Sequence, residues 1–358
     1  MINVLFLHTQ LSGYFVSSLK FAVEKNENLL IHVVVFPNTK DAPFNFSSFH
    51  KRIKVYNRSD LKLDDIENLI DLISPKSIYV TGWSDREYLR VIKKYKKKIT
   101  LTISVDNMWY GSARQYIAFI LSRLFLVNLF DFVWVPGEPQ ARYVKKLGFK
   151  TKNILFNYYC ADIERFSDYY NEAKTSKEKN FPHKFLFVGR YVKEKGIVDL
   201  WKAFEKLQQE FPNDWELVCV GAGPLFESRM KMDKIDHRGF LSPEDLQPLI
   251  DETGVFILPS VEEHWGVVLH EYAAAGYPLI CSKEVGAVGA FLKDQSNGFV
   301  FDSKNIDSLK DKMHKITNLS DAELHKMSIQ SIKQSKSISK EKWYESFNEI
   351  NQYLQCNL

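Results

Sequence analysis

Short apolar runs, each followed by a stretch of helical periodicity, recur from the first residues onward and leave this chain few folds to choose from. Residues 2–7, 29–36, 53–56, 77–80, 99–104 and 132–135 are rich in β-branched and aromatic side chains, as strands buried inside a parallel sheet must be. Between the third and fourth runs, Leu61, Ile66, Leu69, Ile70 and Ile73 recur with near-helical period behind Asp60, which reads as a helix cap. Strand then helix, repeated, specifies a parallel α/β sheet. The pattern pauses at 168–183, where 171–180 is almost free of apolar residues, and a linker is expected there. It resumes with a strand at 184–188 and a helix in which Ile197, Leu200, Trp201, Phe204 and Leu207 share a face. Strands are predicted again at 216–220, 255–258, 279–282 and 298–301, with a helix starting at Pro243 behind a Ser242 N-cap. The predicted organisation is therefore α/β, with a first doubly wound domain over 1–167, a linker over 168–183 and a second doubly wound domain over 184–337. A terminal segment, 338–358, follows, and its helix carries Trp343, Phe347, Ile350 and Leu354 on one face. Such sheets bind ligands at the carboxyl ends of their strands, so a cleft between the domains is the expected site.

Composition narrows the classes further. A chain of 358 residues exceeds the size at which one core stops growing, and 45% apolar with 26% charged residues is globular composition. A net charge of +4 is too small for wholesale nucleic-acid binding, and none is expected. Cys160, Cys219, Cys281 and Cys356 lie far apart, without the spacing of a metal ribbon or redox pair, which suits a reducing cytoplasm. The opening residues read as a strand rather than a signal peptide. The most apolar stretch, 116–135, is interrupted by Ser122, Arg123, Asn128 and Asp131, so no transmembrane span is expected. The lysine run at 93–98 and the apolar helix at 115–129 leave two readings open, peripheral contact with the inner membrane or a solvated helix end beside a buried helix.

Three motifs in the second half carry chemistry. Residues 263–271 read Glu-His-Trp-Gly-Val-Val-Leu-His-Glu after a predicted strand. If Gly266 opens a helix, Glu263 sits at its start and Glu271 lies roughly 12 Å further along. The first carboxylate then suits sugar hydroxyls and the second a ribose. The free amides of Gly266, Val267 and Val268, with His264 and Trp265 beside them, would favour a diphosphate between the two. Gly189, Arg190 and Lys195 follow the strand 184–188, where two cations converge on a departing phosphate. Gly221 and Gly223 form a strand-end turn whose glycines let backbone approach a ligand. Each motif also has a bland reading: solvated glutamates, surface cations, an ordinary turn.

In order and spacing, Gly189-Arg190, Lys195-Gly196, Val220-Gly-Ala-Gly-Pro224, Arg238-Gly-Phe240, Glu263-x7-Glu271 and Asn297-Gly298 resemble the retaining GT-B glycosyltransferases with the E-x7-E motif, the glycosyl transferases group 1. The resemblance spans 187–301. It implies two facing Rossmann-like domains, a terminal helix crossing back to the first, and a UDP- or GDP-sugar as cosubstrate with no metal and no other cofactor. By the same resemblance Arg190 and Lys195 hold the donor phosphates, Glu263 meets the donor sugar, Glu271 binds ribose, and Phe240 and Leu241 flank the base. Ser12 and Gly13, after the first strand, are expected beside the phosphates. Asp106 would orient the acceptor or take its proton, the alternative being an Asp-Asn turn that caps the next helix. His264 and Trp265 stand where the family often has a glycine, which leaves donor identity open.

The implied function is hexosyl transfer, with retention, to a glycan or lipid-linked acceptor in bacterial surface-polysaccharide synthesis. A sugar-nucleotide epimerase, or a catalytically silent sugar-nucleotide-binding scaffold on the same fold, would share these residues. No Asp-x-Asp triplet is found to bridge a cation and a diphosphate.

Overall fold

The computed structural model describes residues 1–37, 49–83 and 85–353. Two compact units emerge, one comprising residues 1–160 and 338–358, the other 161–337.

The first unit holds a seven-stranded parallel sheet of β1 (Ile2–His8), β2 (Leu29–Val35), β3 (Ile53–Asn57), β4 (Ser77–Thr81), β5 (Thr100–Ser104), β6 (Phe132–Trp134) and β7 (Ile154–Leu155) in the order β3-β2-β1-β4-β5-β6-β7. Its helices are α1 (Gly13–Lys25), α2 (Leu63–Ile73), α3 (Arg86–Lys93), α4 (Ala113–Phe125) and α5 (Glu138–Leu147). The expected cap at Asp60 is displaced. Asp60 closes a 3₁₀ turn, and the α2 start is held by the Asp65 carboxylate accepting from the Lys62 amide at 2.8 Å.

The second unit repeats the plan with β8 (Lys184–Val188), β9 (Glu216–Val220), β10 (Ile235–His237), β11 (Val255–Leu258), β12 (Leu279–Ser282) and β13 (Gly298–Phe301), ordered β10-β9-β8-β11-β12-β13. Helices α6 (Ile163–Lys179), α7 (Ile197–Glu210), α8 (Gln247–Glu252), α9 (Val267–Ala274), α10 (Val288–Phe291), α11 (Ile306–Thr317) and α12 (Asp321–Ser335) cover it. The five α7 residues expected to share a face are all buried. Ser242 does not cap a helix by its side chain; its hydroxyl donates to the Asp245 carboxylate at 2.7 Å within a 3₁₀ turn that precedes α8.

The linker expected at 168–183 is instead mostly helix, and the unit boundary lies earlier, after Cys160. The physical reason is a narrow buried stripe. Only Phe166, Ala173 and Lys177 of α6 are buried, so a helix packed on α9 and α8 reads as polar sequence. Lys177 lies over the Tyr277 ring at 4.2 Å.

The last helix, α13 (Lys340–Gln352), belongs to the first unit. Trp343, Phe347 and Ile350 are buried there; the Trp343 indole donates to the Tyr158 carbonyl at 3.0 Å and Phe347 stacks on Tyr79. Leu354 and Cys356 lie outside the described residues.

Candidate active site

β8 and β11 are neighbours although β9 and β10 intervene in sequence, so the strand order of the second sheet reverses between them. Loops leaving the carboxyl ends of strands at such a point diverge and leave a crevice. One of these loops runs from Gly189 through Arg190 and a 3₁₀ turn over Lys193–Lys195 into α7, and the other from Pro259 through Glu263 to α9. Polar contacts join them. The amides of Val261 and Glu262 donate to the Glu194 carbonyl at 2.8 and 3.3 Å, and the Lys195 ammonium pairs with the Glu263 carboxylate. The Ser260 hydroxyl also donates to Glu263, at 3.4 Å.

Glu263 does not sit on the helix. It forms a single parallel bridge with Val285, and its carbonyl accepts from the Gly286 amide at 3.1 Å. Gly266 then turns the chain at φ 93°, where a Cβ would lie 2.9 Å from Val285 Cγ1 and 3.1 Å from Glu263 Cγ. Any side chain there would be strained and would press on the glutamate. α9 follows from Val267, and the first-turn amides of Val267 and Val268 precede any intrahelical acceptor, at the positive end of the helix dipole. Arg190 is exposed, and its side chain has no ion pair or hydrogen bond among the described residues. The switch point thus presents one open cation, one cation held by a carboxylate, and a helix N-terminus.

The turn after β9 braces this loop, with Gly221 buried and Gly223 exposed. The Gly189 amide donates to Val220 at 3.0 Å, and the Tyr191 amide to Ala222 at 2.9 Å. A Cβ on Gly221 would collide with the Gly189 carbonyl, and one on Gly223 would lie 2.7 Å from that of Tyr191. The two glycines make room for the backbone of the Arg190 loop. Beyond β10, Phe240 is 52% exposed and Leu241 half-buried, so the phenyl ring offers a stacking face. His264 is half-buried. Trp265, expected among the donor-binding residues, is 3% exposed with its ring against Phe291, so its side chain belongs to the core.

Glu271 lies on α9 among the first residues of α6. Burial pushes its carboxyl up to about 7, the Asp162 carboxylate adds to the shift, and Arg165 opposes it. A carboxyl with a folded pKa near 7 and an ordinary value of 4.5 keeps its proton in the folded state after the unfolded chain has released it, so stability falls as pH rises between the two values. Glu271→Gln is expected to match the parent near the lower value and to exceed it by on the order of 1–3 kcal/mol above the upper one, read from denaturant midpoints against pH.

Sequence reasoning missed His270, immediately before Glu271. Its Nδ1 accepts from the Ala161 amide at 3.2 Å, its Nε2–H donates to the Ser335 carbonyl at 2.8 Å, and its ring stacks on Phe291 at 4.0 Å. Burial lowers its pKa to about 4, so the ring is neutral.

The remaining candidates belong to the first unit. Ser12 precedes α1 without a capping bond from its hydroxyl, and Gly13 opens the helix. Asp106 follows β5 and accepts from the Tyr159 hydroxyl at 3.1 Å. It does not cap α4, which begins behind Ser112, whose Oγ accepts from the Gln115 amide at 3.4 Å. Tyr159 stands edge-on to Tyr14, and the hydroxyl of adjacent Tyr158 lies 3.2 Å from His8 Nε2, so a polar aromatic cluster lies at the carboxyl ends of β1 and β5.

Residues 170–335, which contain every candidate of the second unit, match the family model described as glycosyl transferases group 1. This segment is a group 1 glycosyltransferase domain. The chain spans about a third of the length of the curated relatives it matches. One is the alpha-monoglucosyldiacylglycerol synthase of Acholeplasma laidlawii, 29% identical over 136 residues, which are 36% of this chain and 33% of that protein. Fold likeness extends beyond the group 1 domain. A glycosyltransferase of Rickettsia africae superposes with a TM-score of 0.76 at 15% identity, covering 100% of this chain and 99% of that one. HepE of Anabaena in complex with UDP-glucose gives 0.71 at 14% identity over 99% and 100%. The fold is GT-B, with the group 1 domain as its second unit.

Proposed function

We propose that this chain is a metal-independent glycosyltransferase that moves a hexose-type sugar, with retention, from a UDP- or GDP-sugar to a glycan or lipid-linked acceptor in surface-polysaccharide synthesis. The observation that carries the reading is the Lys195–Glu263 pair, which joins the two loops at the switch point of the group 1 domain, with Arg190 open on the same loop. Donor phosphate draws Lys195 away from Glu263, leaving that carboxylate to meet the sugar as positive charge develops on it. Arg190 and Lys195, with the amides of Val267 and Val268, stabilise the charge growing on the departing diphosphate, a role preorganised donors perform in catalysis. Glu271 takes the ribose and Phe240 stacks on the base. Asp106 orients the acceptor. UDP-glucose in one structural neighbour and a glucosyldiacylglycerol product in the name of one relative support donor and acceptor classes of this kind.

A thermal-shift screen of UDP, GDP and their sugars tests the donor. Ligand at about 100 times its Kd adds roughly 2.7 kcal/mol to the folded state, and Glu271→Ala is expected to remove that gain. Product analysis with the best donor is then expected to show transfer with the anomeric configuration kept and the rate unchanged by a chelator. Donor altered without acceptor would replace this reading by an epimerase, and a folded chain that no nucleotide stabilises would refute it.

A further inference from the structure

Helix α4 is built inside out. At about 100° per residue, Tyr116, Ile117, Ile120, Leu121, Leu124 and Phe125 share roughly half its circumference. All six are between 48% and 68% exposed. The opposite face is the packed one, where the buried Ser122 donates to the Leu147 carbonyl of α5 at 2.8 Å. An apolar stripe of this width turned to solvent marks an interaction surface rather than scattered surface residues.

Cations frame the stripe. Arg114 and Arg123 fall near its two edges on the helical wheel, and both are exposed. On neighbouring α5, Lys145 and Lys146 are exposed, and Lys146 lies over the Trp109 ring, which in turn packs edge-on against Tyr116. The lysine run 93–98 follows α3 at the amino end of β5, the end of the sheet at which α4 finishes. Acidic side chains are absent from α4 itself. Its 13 residues, about 20 Å long, are too short to span a bilayer core of about 30 Å, and no described helix is long and apolar enough to cross a membrane.

We infer that the exposed face of α4 docks the first unit on an anionic lipid bilayer, with the six apolar side chains in the headgroup boundary and Arg114, Arg123, Lys145 and Lys146 on lipid phosphates. Amphipathic helices with an apolar face and a basic border bind in this way, by buried apolar area and electrostatic attraction together. A second copy of the chain fits the surface less well, because a two-fold contact through α4 would set these cations against their own images. The inference is independent of the transfer reaction, since it concerns binding alone.

Flotation of the full chain with vesicles of phosphatidylcholine alone, and of phosphatidylcholine mixed with phosphatidylglycerol, tests it. The parent is expected to float with the anionic vesicles at least about tenfold more than with the neutral ones, and to lose that excess in high salt. The double variant Ile120→Asp/Leu124→Asp is expected to stay unbound with its melting temperature unchanged, since both side chains already face water. Arg114→Ser/Lys145→Ser, also exposed, is expected to reduce binding to anionic vesicles without creating any for neutral ones. Failure of the parent to float with anionic vesicles overturns the proposal. So does concentration-dependent dimerisation that the aspartate variant abolishes, which would give the face to a second copy.

Discussion

Replacing Lys195 by alanine is expected to lower the rate of sugar transfer at saturating donor by about 10²–10³-fold, the loss typical when one preorganised stabiliser of a leaving oxyanion is removed. The ammonium now pairs with Glu263 between two loops that backbone hydrogen bonds already hold together through Glu194. Those bonds survive the substitution, so the fold is expected to persist at a modest cost, that of a partly buried carboxylate losing its partner. Three variants separate the roles. If Lys195 acts on the diphosphate, Lys195→Ala loses turnover even when Glu263→Gln has removed the charge it neutralises. If its only task is to hold Glu263, the double variant is no worse than Glu263→Gln alone, a coupling that a double-mutant cycle reads directly. Unchanged turnover by a folded Lys195→Ala would remove the lysine, and with it the transfer mechanism proposed above, from consideration.

How legible the fold was depends on what each residue is asked to do. Strands buried inside parallel sheets have to be continuous apolar runs, so the four predicted in the second half after 184–188 coincide with β9, β11, β12 and β13. The strands that escaped, β7 and β10, have two and three residues at the sheet edges, too short to leave a run. α6 escaped for the opposite reason, because most of its side chains face water and three buried positions are enough to seat it. In the site, glycine and charge announced the loops, but not what the glycines are for. Gly221 and Gly223 admit neighbouring backbone, which sequence cannot distinguish from room for a ligand. The exposure of α4 was hidden as well, since the same apolar spacing describes a helix buried in a core and one lying on a membrane.

His270→Ala is expected to destabilise the second unit by on the order of 3–5 kcal/mol, the largest stability effect anticipated for any substitution near Glu271. The imidazole bonds a buried amide and a buried carbonyl at once, so alanine removes its bonds to the Ala161 N–H and the Ser335 C=O and opens a void against Phe291. The two clasped residues lie near the points where the chain enters and leaves this unit, which makes the ring a tie between the approach to α6, the end of α12 and the helix that carries Glu271. Acid should reveal the same tie. With a folded pKa near 4 against an ordinary 6.5, the unfolded chain takes up a proton that the buried ring refuses, so the stability His270 contributes is present above the ordinary value and is lost as pH falls towards the folded one. His8 and His32 are lowered in the same way and add their own losses, so the contribution of His270 is the difference between parent and variant. Denaturant midpoints are therefore expected to converge as the solution is acidified from about 6.5. A gap that stays constant over that range would assign the cost to lost packing alone, and no gap at neutral pH would show that neither hydrogen bond holds the unit together.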